Sequence, residues 1–278
     1  MKALLLLIIL PLLILYQQEK NAIGIYNKMI LTAGKINTVK FDAKMIERFN
    51  GKNNLQIASL KIQHEPLKIY YYQHHPTEGI EILYCKGINK NKALVKPNQF
   101  PWVNLLLDPY DRNLRTRQHH VLLEPGFAYF LKVMKNHTDN YKGNLSEIIK
   151  YLGEEVFDNN KCYKIRIDNP DFGYVKYIVK ENENVDSIAE KFLINAYMIL
   201  EINNLKNYDD LKPGQQIIIP NSYSKNIVLY IDKTRYIPLK MVIFDDKGLF
   251  EMYEFYNMQV NVSFKPNEFS SDFKDYGF

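Results

Sequence analysis

YIVKENENVDSIAEKFLINAYMILEINNLKNYDDLKPGQQIIIP, running from Tyr177 to Pro220, carries the pattern of a complete small fold in one stretch of chain. Tyr177, Ile178 and Val179 make a short aromatic and β-branched strand. Asn184 is placed to cap a helix whose apolar face is Val185, Ile188, Ala189 and Phe192. Asn195 is placed to cap a second helix, with Ala196, Ile199, Leu200 and Asn203 on one side. Pro213-Gly214 supplies a tight turn into the closing strand Gln216 to Pro220. The order strand, helix, helix, strand brings both ends of the segment together in an antiparallel pair. A segment with adjacent ends can sit inside another domain without pulling its host apart.

Outward from this stretch the period changes to two. Glu154 to Phe157 and Lys161 to Ile167 precede it as strands; Ile227 to Asp232, Leu239 to Asp245 and Leu249 to Val262 follow it. The turns Asp232-Lys233-Thr234 and Asp245-Asp246-Lys247-Gly248 separate the last three. Further upstream lies another run of hairpins: Val39 to Met45, Leu55 to Gln63, Leu67 to Gln73, Ile80 to Lys86 and Lys92 to Lys96. A helix over Asn21 to Gly34 precedes that run, with Ile23, Tyr26, Ile30 and Ala33 at helical spacing. Between the two runs the chain is irregular from Lys96 to Arg117. A helix then opens at Glu124-Pro125 with Phe127, Phe130, Leu131 and Met134, and Asn144 is placed to cap another through Ile148, Ile149 and Leu152.

The Tyr177–Pro220 segment resembles a LysM domain from end to end. The matching residues are Tyr177-x-Val179-Lys180, Ser187-Ile188-Ala189, Asn203-x-Leu205, Leu211-Lys212-Pro213-Gly214-Gln215 and Ile217-x-Ile219-Pro220. The resemblance implies binding of glycans built on N-acetylglucosamine, usually peptidoglycan or chitin. It places the groove between Asn182, Glu183, Asn184 and Val185 on one side and Asn203, Asn204, Leu205 and Leu211 on the other. One departure stands out: the usual Gly-Asp-Thr before the first helix is Asn182-Glu183-Asn184 here. Asn tolerates left-handed backbone and caps helices well, so the fold is expected to survive it.

The host resembles the LolA-like superfamily of outer-membrane lipoprotein carriers, in scattered positions over Asn21 to Lys176 and Ser222 to Asn261. Ile231-Asp232-Lys233-Thr234-Arg235-Tyr236-Ile237-Pro238-Leu239-Lys240 leads to Ile243-Phe244-Asp245-Asp246-Lys247-Gly248, as in that superfamily's late hairpins. Glu65-Pro66-Leu67-Lys68 through Glu81-Ile82-Leu83-Tyr84 looks like one of its uncharacterised bacterial families. The resemblance implies an α+β fold, a curved antiparallel sheet wrapped around helices as a half-barrel, with an apolar concavity for a lipid or lipoprotein acyl chains. Trp102, Phe127, Phe130, Leu131 and Met134 are the residues expected to line it. The expected organisation is a signal peptide over 1–18, the host over 21–176 and 222–278, and the insert over 177–220.

Composition bounds the function. Met1-Lys2 and the apolar run Ala3 to Tyr16 fit a secretory signal; the run falls short of the roughly 20 residues of a membrane span. Export to the periplasm is expected, with a retained N-terminal anchor as the alternative. A formal charge of +5 without a Lys/Arg block gives no reason to expect nucleic acid. Cys85 and Cys162 admit a disulfide, worth about 4 kcal/mol by chain entropy, or two buried thiols in neighbouring strands. Among the histidines, the pairs His74-His75 and His119-His120 cannot offer two rings to one metal from a regular strand. They are expected as solvated or turn residues, and neither a metal nor another cofactor is expected. Asp108, Asp111 and Glu124 are the carboxylates a cell-wall hydrolase would use, but no hydrolase motif surrounds them and no catalytic residue is assigned. The expectation is an envelope binding protein, not an enzyme, with a hydrolase or hydrolase activator as the alternative.

Overall fold

Alternating burial along the strands builds a single antiparallel sheet of eleven strands in the computed structural model, which describes residues 22–141 and 143–278. The expected signal segment lies outside the described residues. Helix α1 (22–33) leads into a meander, β1 (Thr38–Phe49), β2 (Lys52–Gln63), β3 (Lys68–His75), β4 (Glu81–Cys85), β5 (Ala93–Lys96) and β6 (Leu105–Leu107). Helices α2 (Phe127–Asp139) and α3 (Leu145–Ile148) separate it from β7 (Ile149–Phe157) and β8 (Asn160–Asp168). The insert follows as β9 (Tyr174–Ile178), α4 (Val185–Phe192), α5 (Ala196–Asn203) and β10 (Gln216–Pro220). Strands β11 (Asn226–Asp232), β12 (Pro238–Asp245) and β13 (Gly248–Val260) complete the sheet.

The strand order is β6-β5-β4-β3-β2-β1-β13-β12-β11-β8-β7, so the first and last strands of the chain join the two meanders. Val39 lies opposite Val260 and Glu47 opposite Glu251. One face of the sheet carries Val39, Phe41 and Ala43, continued by Ala58, Leu60 and Ile62 on β2 and by Leu239, Met241 and Ile243 on β12. Helices α1 and α2 belong to that side, where Tyr26 Oη donates to the Met134 carbonyl at 3.2 Å. Residues 263–278, expected as part of the host but with no element assigned, strap the opposite face. There the Tyr276 ring stacks on Tyr70 at 3.6 Å, and the Gly277 N–H donates to the Glu81 carboxylate.

Strands β8 and β11 pair directly, Asp168 opposite Asn226, so the insert emerges from the end of one hairpin. Its neck is held by the Asn169 N–H on the Lys225 carbonyl and the Asn221 N–H on the Gly173 carbonyl. Two local expectations change. The helix at Asn144 lasts one turn and gives way to strand at Ile149, since Asn144 makes no side-chain cap and the Ile148-Ile149 pair suits an extended chain. Helix α2 starts at Phe127 behind Gly126, whose φ of 72° and closeness to His64 (3.0 Å for an added Cβ) exclude a side chain. Cys85 and Cys162 are both free, with six strands of the sheet between them. At ~4.8 Å per strand that separation is far beyond the roughly 4.4–6.8 Å a disulfide spans, and they do not sit in neighbouring strands either.

Candidate functional site

The insert forms as its caps dictate. Asn184 accepts from the Ser187 N–H while the Ser187 hydroxyl accepts from the Asn184 N–H, a reciprocal capping box. Asn195 accepts from the N–H groups of Tyr197 and Met198 at the start of α5. Most of the eight residues expected to bind glycan do structural work. Val185 is fully buried, and Leu205 and Leu211 pack half-buried on the core. The Asn203 amide bridges the Ile199 and Ile218 carbonyls and the Ile218 N–H, tying α5 to β10. Asn182 and Asn204 hold left-handed turns, with φ of 62° and 52°. Glu183 is buried enough to raise its pKa, yet bonds from Lys191, the Lys180 N–H and Tyr177 outweigh this and bring it to about 2.

Asn182 and Asn204 are exposed, and Asn184 is the one of the eight that lines a groove. This groove, of about 1060 Å³, is also lined by Asp186, Ser187, Glu190 and the loop 206–210. The opposite wall belongs to the host: Tyr110, Asp111, Arg112, Asn113 and Thr116. Arg115 anchors this wall, donating through Nη1 to both Asp186 oxygens at 2.7 and 2.9 Å while its guanidinium lies 3.4 Å over the Tyr208 ring. Apart from Asp111 as a hydrolase candidate, no sequence signal flagged residues 110–116, and none joined them to the insert, because the contact links positions 71 apart. The hydrolase candidates Asp108 and Asp111 each accept a nearby N–H, from Tyr110 and Asn113.

A second cavity, about 140 Å³, lies between α2 and the sheet. Apolar side chains from β1, β2, β3, β11, β12 and β13 line it, together with Phe130 and Val133 of α2. Phe130 is therefore the expected lipid residue that the structure places there. Met134 is fully buried on the side of α2 facing Tyr26, Leu131 packs near Gly34, and Trp102 stands on an exposed loop away from the cavity. The Phe127 side chain lies outside the described residues. A void on the order of 150 Å³ admits a benzene-sized apolar group, so this one suits a segment of a single chain and not a whole lipid.

His120, Glu124 and Tyr223 make one end of the cavity polar, and behind them a buried cluster joins host to insert. Glu251, 0% exposed on β13, accepts from His119 Nδ1 at 2.7 Å, Asn195 Nδ2 at 2.8 Å and Tyr223 Oη at 2.9 Å. His120 meets Tyr223 Oη through Nε2 at 3.0 Å and Glu124 through Nδ1 at 2.9 Å. Tyr197 of α5 stacks on the His119 ring and packs on Phe49. His119 and His120, expected to be solvated, are thus structural: His119 is 1% exposed and bonded at both nitrogens, the second meeting the Arg48 carbonyl. Ligand atoms of Glu47, His119 and Glu251 come within 4.8 Å of one another, a spacing that could suit a metal. The structure instead commits them to hydrogen bonds, Glu47 accepting from the His119 N–H and Tyr253.

This cluster makes stability depend on pH. Burial lowers the His120 pKa, but Glu124 and Glu251 more than offset it and hold it well above the ordinary value. A group raised on folding contributes fully below its unfolded pKa, about 6.5, and that contribution is lost as pH rises through the folded value. The melting midpoint of the protein should therefore fall as pH rises above about 6.5, and His120→Gln should flatten the decline. Parallel profiles for the two proteins would exclude His120 as the source.

These features define a class: an α+β protein with a large antiparallel sheet, an apolar cavity under its helices, and a LysM domain nested in one hairpin. Residues 177–220 match the LysM domain family. Residues 38–188 match the family described as "Protein of unknown function (DUF1571)"; this is more than half of the chain, and the chain belongs to that family. No curated protein matches it. Solved structures with a similar fold include LprF from Mycobacterium bovis, 10% identical, covering 90% of this chain and 97% of that one with a TM-score of 0.42. The Mycobacterium tuberculosis lipoprotein LppX is 11% identical, covering 88% and 98% with a TM-score of 0.41. A putative outer membrane lipoprotein-sorting protein domain from Vibrio parahaemolyticus is 11% identical, covering 91% and 97% with a TM-score of 0.32. The likeness is one of fold alone.

Proposed function

We propose that this is a non-catalytic binding protein of the bacterial cell envelope, exported to the periplasm. Its LysM domain holds peptidoglycan or another N-acetylglucosamine glycan, and its host domain takes an acyl segment of a lipid or lipoprotein. The observation that carries the reading is the pairing of two unlike sites on one framework: a LysM domain beside a wide polar groove, and a small apolar cavity under α2. Amide and hydroxyl groups at the groove, from Asn113, Thr116, Asn184 and Asn207, can donate to and accept from sugar N-acetyl and hydroxyl groups. Apolar walls with polar groups at one side suit a chain ending in a polar head.

Two assays test the two halves separately. Insoluble peptidoglycan should retain the protein without releasing soluble fragments; fragments in the supernatant would favour a hydrolase, and no retention would remove the glycan half. A fluorescent fatty acid should bind the parent protein. Ala43, buried and lining the cavity, is the place to fill it: Ala43→Phe should abolish uptake. Overpacking of this kind costs about 1–3 kcal/mol where no space exists, and less here. Unchanged uptake in a folded Ala43→Phe protein would reject the cavity as the binding site.

A further inference from the structure

Trp102, the single tryptophan of the chain, is 72% exposed. Its neighbours behave alike: Phe100 is 84% exposed, Val103 57% and Leu106 50%. Side chains that keep so much of their area open stand on a protrusion, and here four large apolar ones fall within seven residues. The loop is pinned at its base, where the Asn98 amide donates to the Glu78 carbonyl at 2.8 Å and the Trp102 N–H to the Gln99 carbonyl at 2.8 Å. Pro97 and Pro101 carry no N–H, and that of Trp102 is bonded within the loop.

We propose that residues 100–106, the loop and the start of β6, form a membrane-docking tip that inserts into the interfacial layer of a phospholipid bilayer. Aromatic rings, tryptophan above all, favour that layer, where an apolar body and a polar edge are both accommodated. Amide side chains of Asn98, Gln99 and Asn104 flank the apolar residues at headgroup level. Exposed Lys52 and Arg117 lie at the same end of the sheet: Lys52 pairs with Phe49 at the β1–β2 turn, and the Arg117 carbonyl is held by Gln56 of β2. Both cations are of the sign that anionic headgroups attract, against Glu78 in the adjoining turn. No helix among the described residues is long and apolar enough to cross a membrane, and a short apolar tip of this kind enters only the interface.

The strand registers place this loop at the same end of the sheet as the LysM domain. Asp168 faces Asn226, Asp245 faces Gly248, Phe49 faces Lys52 and Glu81 faces Lys96, each pair at the end from which the insert or the loop emerges. The docking tip rests neither on glycan binding nor on the cavity, and it can stand or fall without them.

Trp102 makes the test specific, because any change in tryptophan emission of the whole chain comes from this site. Adding vesicles of phosphatidylcholine with phosphatidylglycerol should shift emission to the blue and shield it from acrylamide. Vesicle partitioning of the Phe100→Ser variant, which keeps the reporter, should weaken roughly tenfold, the loss of one buried aromatic ring. Emission unmoved by vesicles that sediment the protein would overturn the proposal. So would a blue shift that grows with protein concentration in the absence of lipid, which would mark the tip as a contact between two copies. Equal partitioning of Phe100→Ser and parent would do the same.

Discussion

Replacing Glu251 by leucine should destabilise the protein by about 3–5 kcal/mol, the usual range when one partner of a buried charged cluster is removed. The carboxylate is the common acceptor for His119, Asn195 and Tyr223, and it sits 3.6 Å from His120 Nε2. Burial alone would raise its pKa, but the bonds from His119 and His120 outweigh this and hold it below the ordinary carboxylate value, so it is ionised in the neutral range. Leucine would leave His119 Nδ1 without its partner and take one acceptor from the Asn195 amide and one from the Tyr223 hydroxyl. Urea unfolding at pH 7 measures the loss. A change below about 1 kcal/mol would show that water reaches the cluster and that it holds nothing together. Because Asn195 belongs to the insert, the variant should also loosen α5, visible as faster amide exchange at Tyr197 and Met198.

Excising residues 174–220 and joining Gly173 to Asn221 should leave a cooperative fold and abolish retention on peptidoglycan. The join is short, since the Asn221 N–H already bonds the Gly173 carbonyl. The sheet does not depend on the insert, because β8 and β11 pair through seven registered positions below it. The cost comes from the docking surface: Tyr197 leaves Phe49 and His119, Asn195 leaves Glu251, Arg115 loses Asp186 and Tyr208, and Lys247 loses Glu201. Losing a buried aromatic contact and these charged contacts, whose host partners then reach water, should lower stability by about 2–4 kcal/mol. A broad, non-cooperative melt would mean that host and insert fold as one unit. Full retention of the shortened protein would place glycan binding elsewhere.

How far the sequence could be read depended on how local each feature was. The insert was legible because its signals lie within a few residues of what they control: Asn184 and Asn195 cap the helices they were expected to cap. The strands were legible for the same reason, since period-two burial needs no knowledge of the partner strand. Partnership across long distances was not. Nothing near Val39 announces Val260 opposite it, and nothing near Arg115 announces Asp186. The adjacent histidines misled because the argument against them assumed regular strand, where neighbours point apart. In the irregular passage before α2, His119 and His120 both turn toward Glu251. Trp102 misled differently: composition marks a residue as apolar and is silent on which way it faces, and the tight left-handed turn at Trp102, φ 58°, sends the ring outward.

The neck of the insert also decides how the molecule would bear a pull. A tug on a glycan-bound LysM domain reaches the host through Asp168 and Asn226, two neighbouring strand ends that point the same way. The force then runs along β8 and β11 together and drags them as one ribbon between β7 and β12. The hydrogen bonds of those two ladders lie across the line of force and share it in parallel, so they must yield together and not one after another. Attachment at a sheet's open edge would have loaded them singly, like a zip. In this arrangement tension is met in shear, and the grip on the wall should let go before the host unravels.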